Sequence, residues 1–261
     1  MVVSSPEVIW HDLECGSYRA DLPLWRELAA QAAEGRRPAR VLDVGAGTGR
    51  VAIPLARAGH RVTALDIDAR LLDALGERAA GTGIDTICAD ARTFELGDDD
   101  FDLCLIPMQT VQLLAGPGER VSLLECARAH LRRGGLLALA IVTEVEPFDC
   151  AAGDAGPAPE SARLDGRVYL SRPTRVRVLS DSIVIERERL IYCDGGSRAA
   201  GRPHRRGSAE TGAVRDVIEL QRLDAPGLER EAIDAGLRPE PPRSLPATDD
   251  HVGSTVVMLR A

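Results

Sequence analysis

The 261-residue sequence contains no lysine, and its 32 basic residues other than histidine are all arginine. This absence excludes any mechanism that depends on a lysine side chain. Positive charge is also in deficit, because 40 acidic residues leave a formal net charge of −8. Nucleic acids and anionic membranes favour partners with a basic face, so we expect neither as a partner.

Long apolar runs and paired cysteines are missing as well. No run approaches the roughly 18 apolar residues of a membrane span, and the first ten residues lack the charged-then-apolar pattern of a signal peptide. We therefore expect a cytoplasmic protein. The six cysteines are scattered and none forms C-x-x-C. That spacing argues against a metal site and favours buried, unreactive thiols.

The most informative stretch that is present, Arg40–Arg50, reads Arg-Val-Leu-Asp-Val-Gly-Ala-Gly-Thr-Gly-Arg. A short apolar run containing Asp43 is followed by three glycines at alternate positions, and Val51–Ala58 then has helical spacing. Glycines allow a sharp turn and leave no Cβ between the backbone and a ligand. The pattern predicts a strand, a glycine turn and a helix whose first N–H groups face that ligand.

Predicted strands and helices alternate along the first half of the chain. Apolar strands joined to helices by short loops are typical of a doubly wound, parallel α/β sheet covered on both faces. The predicted helices of this half are Leu22–Ala33, Val51–Ala58, Asp68–Ala80 and Arg120–Leu131, and the strands after the first are Arg61–Asp66, Ile84–Cys88, Phe101–Pro107 and Leu136–Val142.

The pattern changes after Val142. Glu144–Asp165, rich in Ala, Gly and Pro, is predicted to be a mobile loop, Arg167–Cys193 is β-rich, and Asp194–Gly212 is predicted to be a flexible hairpin tip. Together with a strand at Val214–Arg222, these runs predict a small antiparallel sheet inserted into the main fold. The last predicted elements are a helix at Leu228–Ala235 and strands at Arg238–Leu245 and Thr255–Leu259. The predicted divisions are N-terminal cap helices at 1–36, an α/β core at 37–150, a β cap at 151–222 and the end of the core at 223–261.

Acidic residues follow or interrupt three of the predicted strands. Asp66 ends the second strand, about 20 residues after the glycine turn begins, where a carboxylate can bind both hydroxyls of a ribose. Asp90 follows the third strand, at the edge of the sheet where ligands bind in this fold class. Asp43 lies inside an apolar strand, and a buried carboxylate is costly unless it has a partner. Asp68, by contrast, is predicted to cap the helix that follows it.

The acid followed by Gly-x-Gly-x-Gly resembles motif I of the class I S-adenosylmethionine-dependent methyltransferases. The resemblance covers Arg40–Val142 well and the ends in outline. It implies a Rossmann-like, mostly parallel seven-stranded sheet, S-adenosyl-L-methionine as the cofactor, and an inserted cap similar to that of small-molecule methyltransferases. In this family the acid at Asp43 faces the methionyl amino group, and the acid at Asp90 accepts from the adenine amino group.

The resemblance also implies the set of cofactor-binding residues and a small-molecule acceptor. The N-terminal segment of related enzymes meets the cofactor, which suggests Tyr18, although packing against the sheet is the alternative. Gln112 is predicted either to contact the ligand or to start a helix in solvent. The predicted cofactor-binding residues are Tyr18, Asp43, Gly45, Ala46, Gly47, Thr48, Gly49, Asp66, Ile67, Asp90, Ala91, Arg92, Pro107, Met108 and Gln109.

Methyl transfer from a sulfonium needs mainly position and orientation, and needs a base only when the acceptor arrives protonated. His11, His251 and Glu144 are the candidate bases, and His60, His130 and His204 are expected to be solvated. Whether the methyl group goes to nitrogen, oxygen or carbon stays open. The inserted sheet could close the pocket or form a homodimer face.

Two other functions compete with a small-molecule methyltransferase. An NAD(P)-binding oxidoreductase would also use a strand, a glycine turn and an acid such as Asp66. The third hypothesis is a protein that binds S-adenosylmethionine without catalysis. Ile106-Pro107-Met108-Gln109 departs from the Asn/Asp-Pro-Pro-aromatic tetrad of enzymes that methylate exocyclic base nitrogens, which disfavours a nucleobase acceptor.

Overall fold

The computed structural model describes residues 5–33, 37–97, 100–193, 213–248 and 251–261. The predicted hairpin tip Asp194–Gly212 and His204 lie outside the described residues. The chain forms two compact units, one of Met1–Ser17 with Glu146–Glu219 and one of Tyr18–Val145 with Leu220–Ala261. The first helix therefore belongs with the inserted sheet, and the second helix belongs with the large sheet.

The helices and strands follow one another in chain order. The helices are α1 (Pro6–Cys15), α2 (Leu22–Ala32), α3 (Ala52–Arg57), α4 (Ala69–Arg78), α5 (Pro117–His130) and α6 (Ala225–Asp234). The strands are β1 (Arg40–Val44), β2 (Arg61–Asp66), β3 (Asp85–Cys88), β4 (Phe101–Ile106), β5 (Leu131–Ile141), β6 (Phe148–Asp149), β7 (Glu160–Leu164), β8 (Arg167–Val178), β9 (Ser182–Cys193), β10 (Val214–Gln221), β11 (Arg238–Leu245) and β12 (Ser254–Arg260). Short 3-10 helices occur at Thr110–Leu113 and Cys150–Ala152.

The large unit is built on a seven-stranded sheet in the order β11-β12-β5-β4-β1-β2-β3. The five strands from β5 to β3 run parallel. β12 pairs antiparallel with both β5 and β11, so among the described strands of this sheet it is the one that runs in the opposite direction. This arrangement confirms the predicted doubly wound, mostly parallel seven-stranded sheet. The strand order changes direction between β1 and β4, so the carboxyl ends of these strands flank the crevice in which α/β sheets bind ligands.

Two apolar clusters cover the two faces of this sheet. Alternate residues of the central strands point to opposite faces, so that Leu103 and Leu105 pack with α2, α3 and α4, whereas Cys104 and Ile106 pack with α5 and α6. Burial on both faces explains why these strands read as nearly continuous apolar runs. At the start of α4 the Asp68 side chain accepts a hydrogen bond from the backbone of Arg70, which confirms the predicted cap.

The small unit contains a five-stranded sheet in the order β10-β9-β8-β6, with β7 also paired to β8. Helix α1 packs on this sheet through Trp10, whose ring meets that of Tyr169 edge-on at 5.4 Å. Glu14 of the same helix accepts hydrogen bonds from Arg189 and Ser171. The predicted inserted antiparallel sheet is thereby confirmed.

Two local predictions are wrong. Glu144–Asp165 is not simply a loop, because it contains β6, a 3-10 turn and β7. β6 pairs with β8, a contact between segments separated in the chain that local composition does not reveal. β7 forms a hairpin with β8 across the two residues Asp165 and Gly166, and this Asp-Gly turn is a local signal that the prediction missed. The thiols are also not uniformly buried: Cys104 is buried, whereas Cys88, Cys150 and Cys193 are exposed.

Candidate functional site

The glycine turn after β1 adopts a backbone that other residues rarely reach. Gly45, Gly47 and Gly49 have φ values of +74°, +53° and +91°, in the left-handed range that glycine enters without steric cost. The N–H groups of Gly45 and Ala46 both donate to the carbonyl of Leu65 at the end of β2, at 2.8 and 3.0 Å. The turn is therefore attached to the neighbouring strand and presents backbone, not side chains, on its inner side.

Asp66, the last residue of β2, is bound to this turn. Its Oδ2 accepts a hydrogen bond from the Gly47 backbone at 2.8 Å, and its Oδ1 accepts one from the Asp68 backbone at 2.9 Å. A carboxylate oxygen has two acceptor positions, so each oxygen can still accept a hydroxyl. Next to it, Ile67 is 71% exposed and offers an apolar surface on which a flat ring can pack.

Asp90, after β3, is in an ion pair that the sequence did not predict. Arg92 donates to both of its oxygens from Nε and Nη2, and the Arg92 backbone N–H donates to Oδ1. The side-chain hydrogen bonds of Arg92 lower the pKa of Asp90 to about 2. Arg92 also donates to Glu119 at the start of α5. The structure thus brings Asp90 and Arg92 together as a fixed pair.

Asp43 is the most unusual carboxylate in the site. It is 1% exposed, and within the described part of the chain neither oxygen has a hydrogen-bond partner at normal distance and angle. Burial raises the pKa of Asp43 to about 7, although the charge of Arg50 and the backbone N–H of Ala52 lower it and Asp66 and Asp21 raise it further. A buried, unpaired carboxylate is rare unless a ligand supplies its partner.

The raised pKa of Asp43 predicts how the free energy of unfolding changes with pH. The unfolded chain ionises this group near pH 4 and the folded chain near pH 7, so the folded state loses stability as the pH rises through that window. As the pH rises from 5 to 8, the unfolding free energy of Asp43→Asn should therefore increase by roughly 2–3 kcal/mol relative to that of the wild type. Urea denaturation of the ligand-free proteins at the two pH values measures this difference.

The control for that experiment is Asp85→Asn, at an exposed position of β3. It should follow the wild type at both pH values. A wild type and an Asp43→Asn variant whose unfolding free energies change in parallel from pH 5 to pH 8 would contradict the assignment.

Arg50, directly after the glycine turn, is a site residue that sequence reasoning missed. Its guanidinium binds both oxygens of Asp21 at 2.6 and 2.8 Å, and the side chains of Arg50 and Asp21 are 7% and 1% exposed. Asp21 also accepts from the indole of Trp25 at 2.7 Å. The position of Arg50 beside the last glycine was a usable signal, but nothing local identifies Asp21 as its partner.

Tyr18 lies against this ion pair. The guanidinium carbon of Arg50 is 5.4 Å from the centre of its ring, and the ring of His251 is 4.9 Å away on centroids. Tyr18 is buried, and its hydroxyl oxygen has no hydrogen-bond partner among the residues that the structure describes. Two predicted site residues, Tyr18 and His251, are thus in contact beside the glycine turn.

The loop after β4 approaches the glycine turn. Pro107 is buried, and Met108 has φ +55°, a conformation that is uncommon for a residue other than glycine. A Cβ placed on Gly45 would lie 2.6 Å from Cγ2 of Thr110. Gln112 is wholly buried, so the prediction that it starts a helix in solvent is wrong.

The three candidate bases belong to different parts of the chain. Glu144 is exposed, and His251 is partly exposed in the large unit, whereas His11 belongs to the small unit. His130 was expected in solvent but is buried, because the Leu96 backbone donates to it at 2.9 Å and its ring stacks on Phe94. His251 contacts another predicted site residue, Tyr18.

Comparison with known proteins identifies the segment that carries this geometry. Residues 41–135 match a family model described as a methyltransferase domain. This segment is thus similar to a methyltransferase domain. The matched segment begins in β1 and ends in β5, and it includes the glycine turn, Asp66, Asp90 and the loop after β4.

The similar proteins match this chain either over part of its sequence or in its fold. The cypemycin N-terminal methyltransferase of a Streptomyces species is 34% identical over 115 residues, which cover 44% of this chain and 46% of that protein. The chain thus matches less than half the length of this relative. Over 98% of this chain and 99% of the other, the DesVI structure from Streptomyces venezuelae has a TM-score of 0.67 at 18% identity.

A second solved structure has the same fold over its whole length. It is CalS10, an amino pentose methyltransferase from Micromonospora echinaspora with S-adenosylmethionine bound, with a TM-score of 0.66 at 20% identity over 97% of both chains. At such identities the likeness shows the fold. It confirms the predicted α/β fold with a seven-stranded sheet and an additional antiparallel sheet.

Proposed function

We propose that this protein is an S-adenosylmethionine-dependent methyltransferase that acts on a nitrogen or oxygen of a small molecule. The observation that carries the proposal is the glycine turn between two carboxylates, the unpaired Asp43 before it and Asp66 bound to its Gly47. The match of residues 41–135 to a methyltransferase domain supports it.

The residues present fit this cofactor. Asp66 retains acceptor positions for the ribose hydroxyls, and Ile67 provides an exposed apolar surface beside it for the purine. Asp90, oriented by Arg92, accepts from the adenine amino group. Asp43 binds the methionyl ammonium group, which supplies the partner that its buried carboxylate lacks. Tyr18, with its unpartnered hydroxyl next to Arg50, binds the carboxylate end.

When bound, S-adenosylmethionine supplies a methyl group already activated by the positive charge on sulfur. The contribution of this chain is then position and orientation, an effect worth up to about 7–11 kcal/mol. The loop Pro107–Gln109 borders the place where an acceptor approaches. His251, Glu144 and His11 stay predictions for a base, which is required only if the acceptor arrives with a proton on its nucleophilic atom.

The acceptor proposal is guided by two named relatives. One is an N-terminal methyltransferase and the other an amino pentose methyltransferase, so amines are the first acceptors to test. A cytoplasmic location, a homodimer, and the absence of nucleic-acid and membrane partners stay predictions. No helix among the described residues is long and apolar enough to span a membrane.

Calorimetry with two ligands tests the proposal. S-adenosylhomocysteine, the demethylated product, should bind with one site per chain, and NADH should give no measurable heat because Asp43 has no role in a nicotinamide site. Binding of NADH alone would indicate an oxidoreductase and overturn the proposal. Binding of S-adenosylhomocysteine without turnover on a panel of small amines and hydroxyl compounds would point to a binding protein without catalysis.

A further inference from the structure

The side chain of Gln112 makes three hydrogen bonds to backbone groups that are far apart in the sequence. Its Oε1 accepts from the N–H of Val142 at 2.8 Å, and its Nε2 donates to the carbonyls of Val142 at 3.0 Å and Gln221 at 2.9 Å. A primary amide has one acceptor oxygen and two N–H donors, which is the set these partners require. The reversed amide would place N–H against N–H, so the partners determine its orientation.

The partners of Gln112 lie on the two chain segments that lead to and from the inserted unit. Val142 directly follows β5, a short distance before that unit begins at Glu146, and Gln221 ends β10, just after the unit ends at Glu219. Gln112, Val142 and Gln221 all belong to the large unit. One buried side chain therefore holds both connecting segments.

Gln112 also ends the loop that borders the glycine turn. Its N–H donates to the carbonyl of Gln109 at 2.8 Å, and the hydroxyl of Thr110 donates to the carbonyl of Pro107 at 3.1 Å. Thr110 occupies the space above Gly45. Within this loop Met108 keeps its left-handed backbone, which persists only where the surrounding structure restrains it.

We infer that Gln112 is a positioning residue that holds the loop after β4 against the glycine turn and couples that loop to both connecting segments of the inserted unit. The inference rests on the proposed cofactor site. Ligand binding at the loop is then sensed at Val142 and Gln221, because the amide that restrains the loop is the one that restrains them. An apolar side chain of similar length fills the space of Gln112 but leaves three buried backbone groups without partners.

The first measurement compares Gln112→Met with His130→Leu as a matched control. His130 is likewise buried and hydrogen-bonded to backbone groups, those of Leu96 and Cys126. It ends α5 where β5 begins, so it lies at the amino end of that strand, opposite the carboxyl ends that carry the proposed site. Calorimetry with S-adenosylhomocysteine should show binding weakened by roughly tenfold or more in Gln112→Met and changed by less than about twofold in His130→Leu. Equal affinities in the two variants would overturn the inference.

The second measurement is hydrogen exchange, with and without S-adenosylhomocysteine, and its wild-type arm does not depend on any variant being stable. In the wild type the ligand should slow exchange in the peptide 107–113 and also in the peptides containing Val142 and Gln221. In Gln112→Met the slowing should be confined to 107–113. Wild-type protein that binds the ligand with no change at Val142 and Gln221 would overturn the coupling.

The two proposals can fail separately. If wild-type protein does not bind S-adenosylhomocysteine, the proposed function fails. The exchange of 107–113 without ligand then still decides the positioning role: it should be faster in Gln112→Met than in His130→Leu, and equal rates would overturn it.

Discussion

Asp66→Asn is expected to weaken binding of S-adenosylhomocysteine by about 100-fold or more. The carboxylate accepts from the backbones of Gly47 and Asp68 with its two oxygens, and an amide replaces one oxygen with a donor that faces an N–H. Hydrogen bonds to a charged group are worth about 1.5–3 kcal/mol, and each 1.4 kcal/mol is a factor of about ten in affinity. The substitution removes the negative charge and loosens the turn together, so both effects reduce binding. Calorimetric titration measures the change.

Asp68→Asn is the matched control for this prediction. Asp68 is two residues away and caps α4 through the Arg70 backbone. Asparagine and aspartate are comparable at a helix cap, so the control should retain wild-type affinity. If Asp66→Asn and Asp68→Asn bind S-adenosylhomocysteine equally well, Asp66 has no special role in the site.

Gly45→Ala is expected to cost more than about 2 kcal/mol of stability and to abolish measurable ligand binding. Alanine at φ +74° is strained, by about 1–2 kcal/mol, and its Cβ would lie 2.6 and 2.7 Å from Cγ2 and Oγ1 of Thr110. Thr110 cannot turn away freely, because its hydroxyl is bonded to the Pro107 carbonyl. The loop after β4 must then move away from the turn. Urea denaturation measures the stability, and calorimetry measures the binding.

Two further variants separate the causes. Gly59→Ala places alanine at φ +95° with no atom within 4 Å of the new Cβ, so it should show backbone strain but normal binding. Gly45→Ala combined with Thr110→Ala should recover part of the lost stability, because the two closest contacts are gone. A double variant no more stable than Gly45→Ala would mean that the close contact with Thr110 is not what makes glycine necessary there.

The parts of the fold that were predictable depend on residues near one another in the chain. Alternating apolar positions and glycines gave the strand, turn and helix around Gly45, and the cap at Asp68 follows from a residue type and the helix start beside it. Parallel strands buried on both faces leave a continuous apolar run, which is why β4 and β5 were identified and their doubly wound arrangement was predicted.

Several wrong predictions concern residues whose partners are distant. β6 exists because β8 pairs with it, and His130 is buried because Leu96 and Phe94 fold against it. A histidine on a helix or a run rich in alanine and glycine carries no local sign of such a partner. The same reason explains why Gln112 is buried, although one prediction places it in solvent at the start of a helix. β7 is an exception, because it pairs with β8 across the local Asp165-Gly166 turn.

Local pattern in the chain was enough to establish the glycine turn and the alternation of strands and helices around it, since both arise from backbone conformations that glycine and apolar periodicity favour. Tertiary folding decided which charges and amides meet there. Asp21 pairs with Arg50, Arg92 holds Asp90, Asp43 stays unpaired, and Gln112 bridges Val142 and Gln221. The strength of an ion pair or hydrogen bond depends on distance, geometry and burial, and these quantities exist only once segments remote in sequence have packed together.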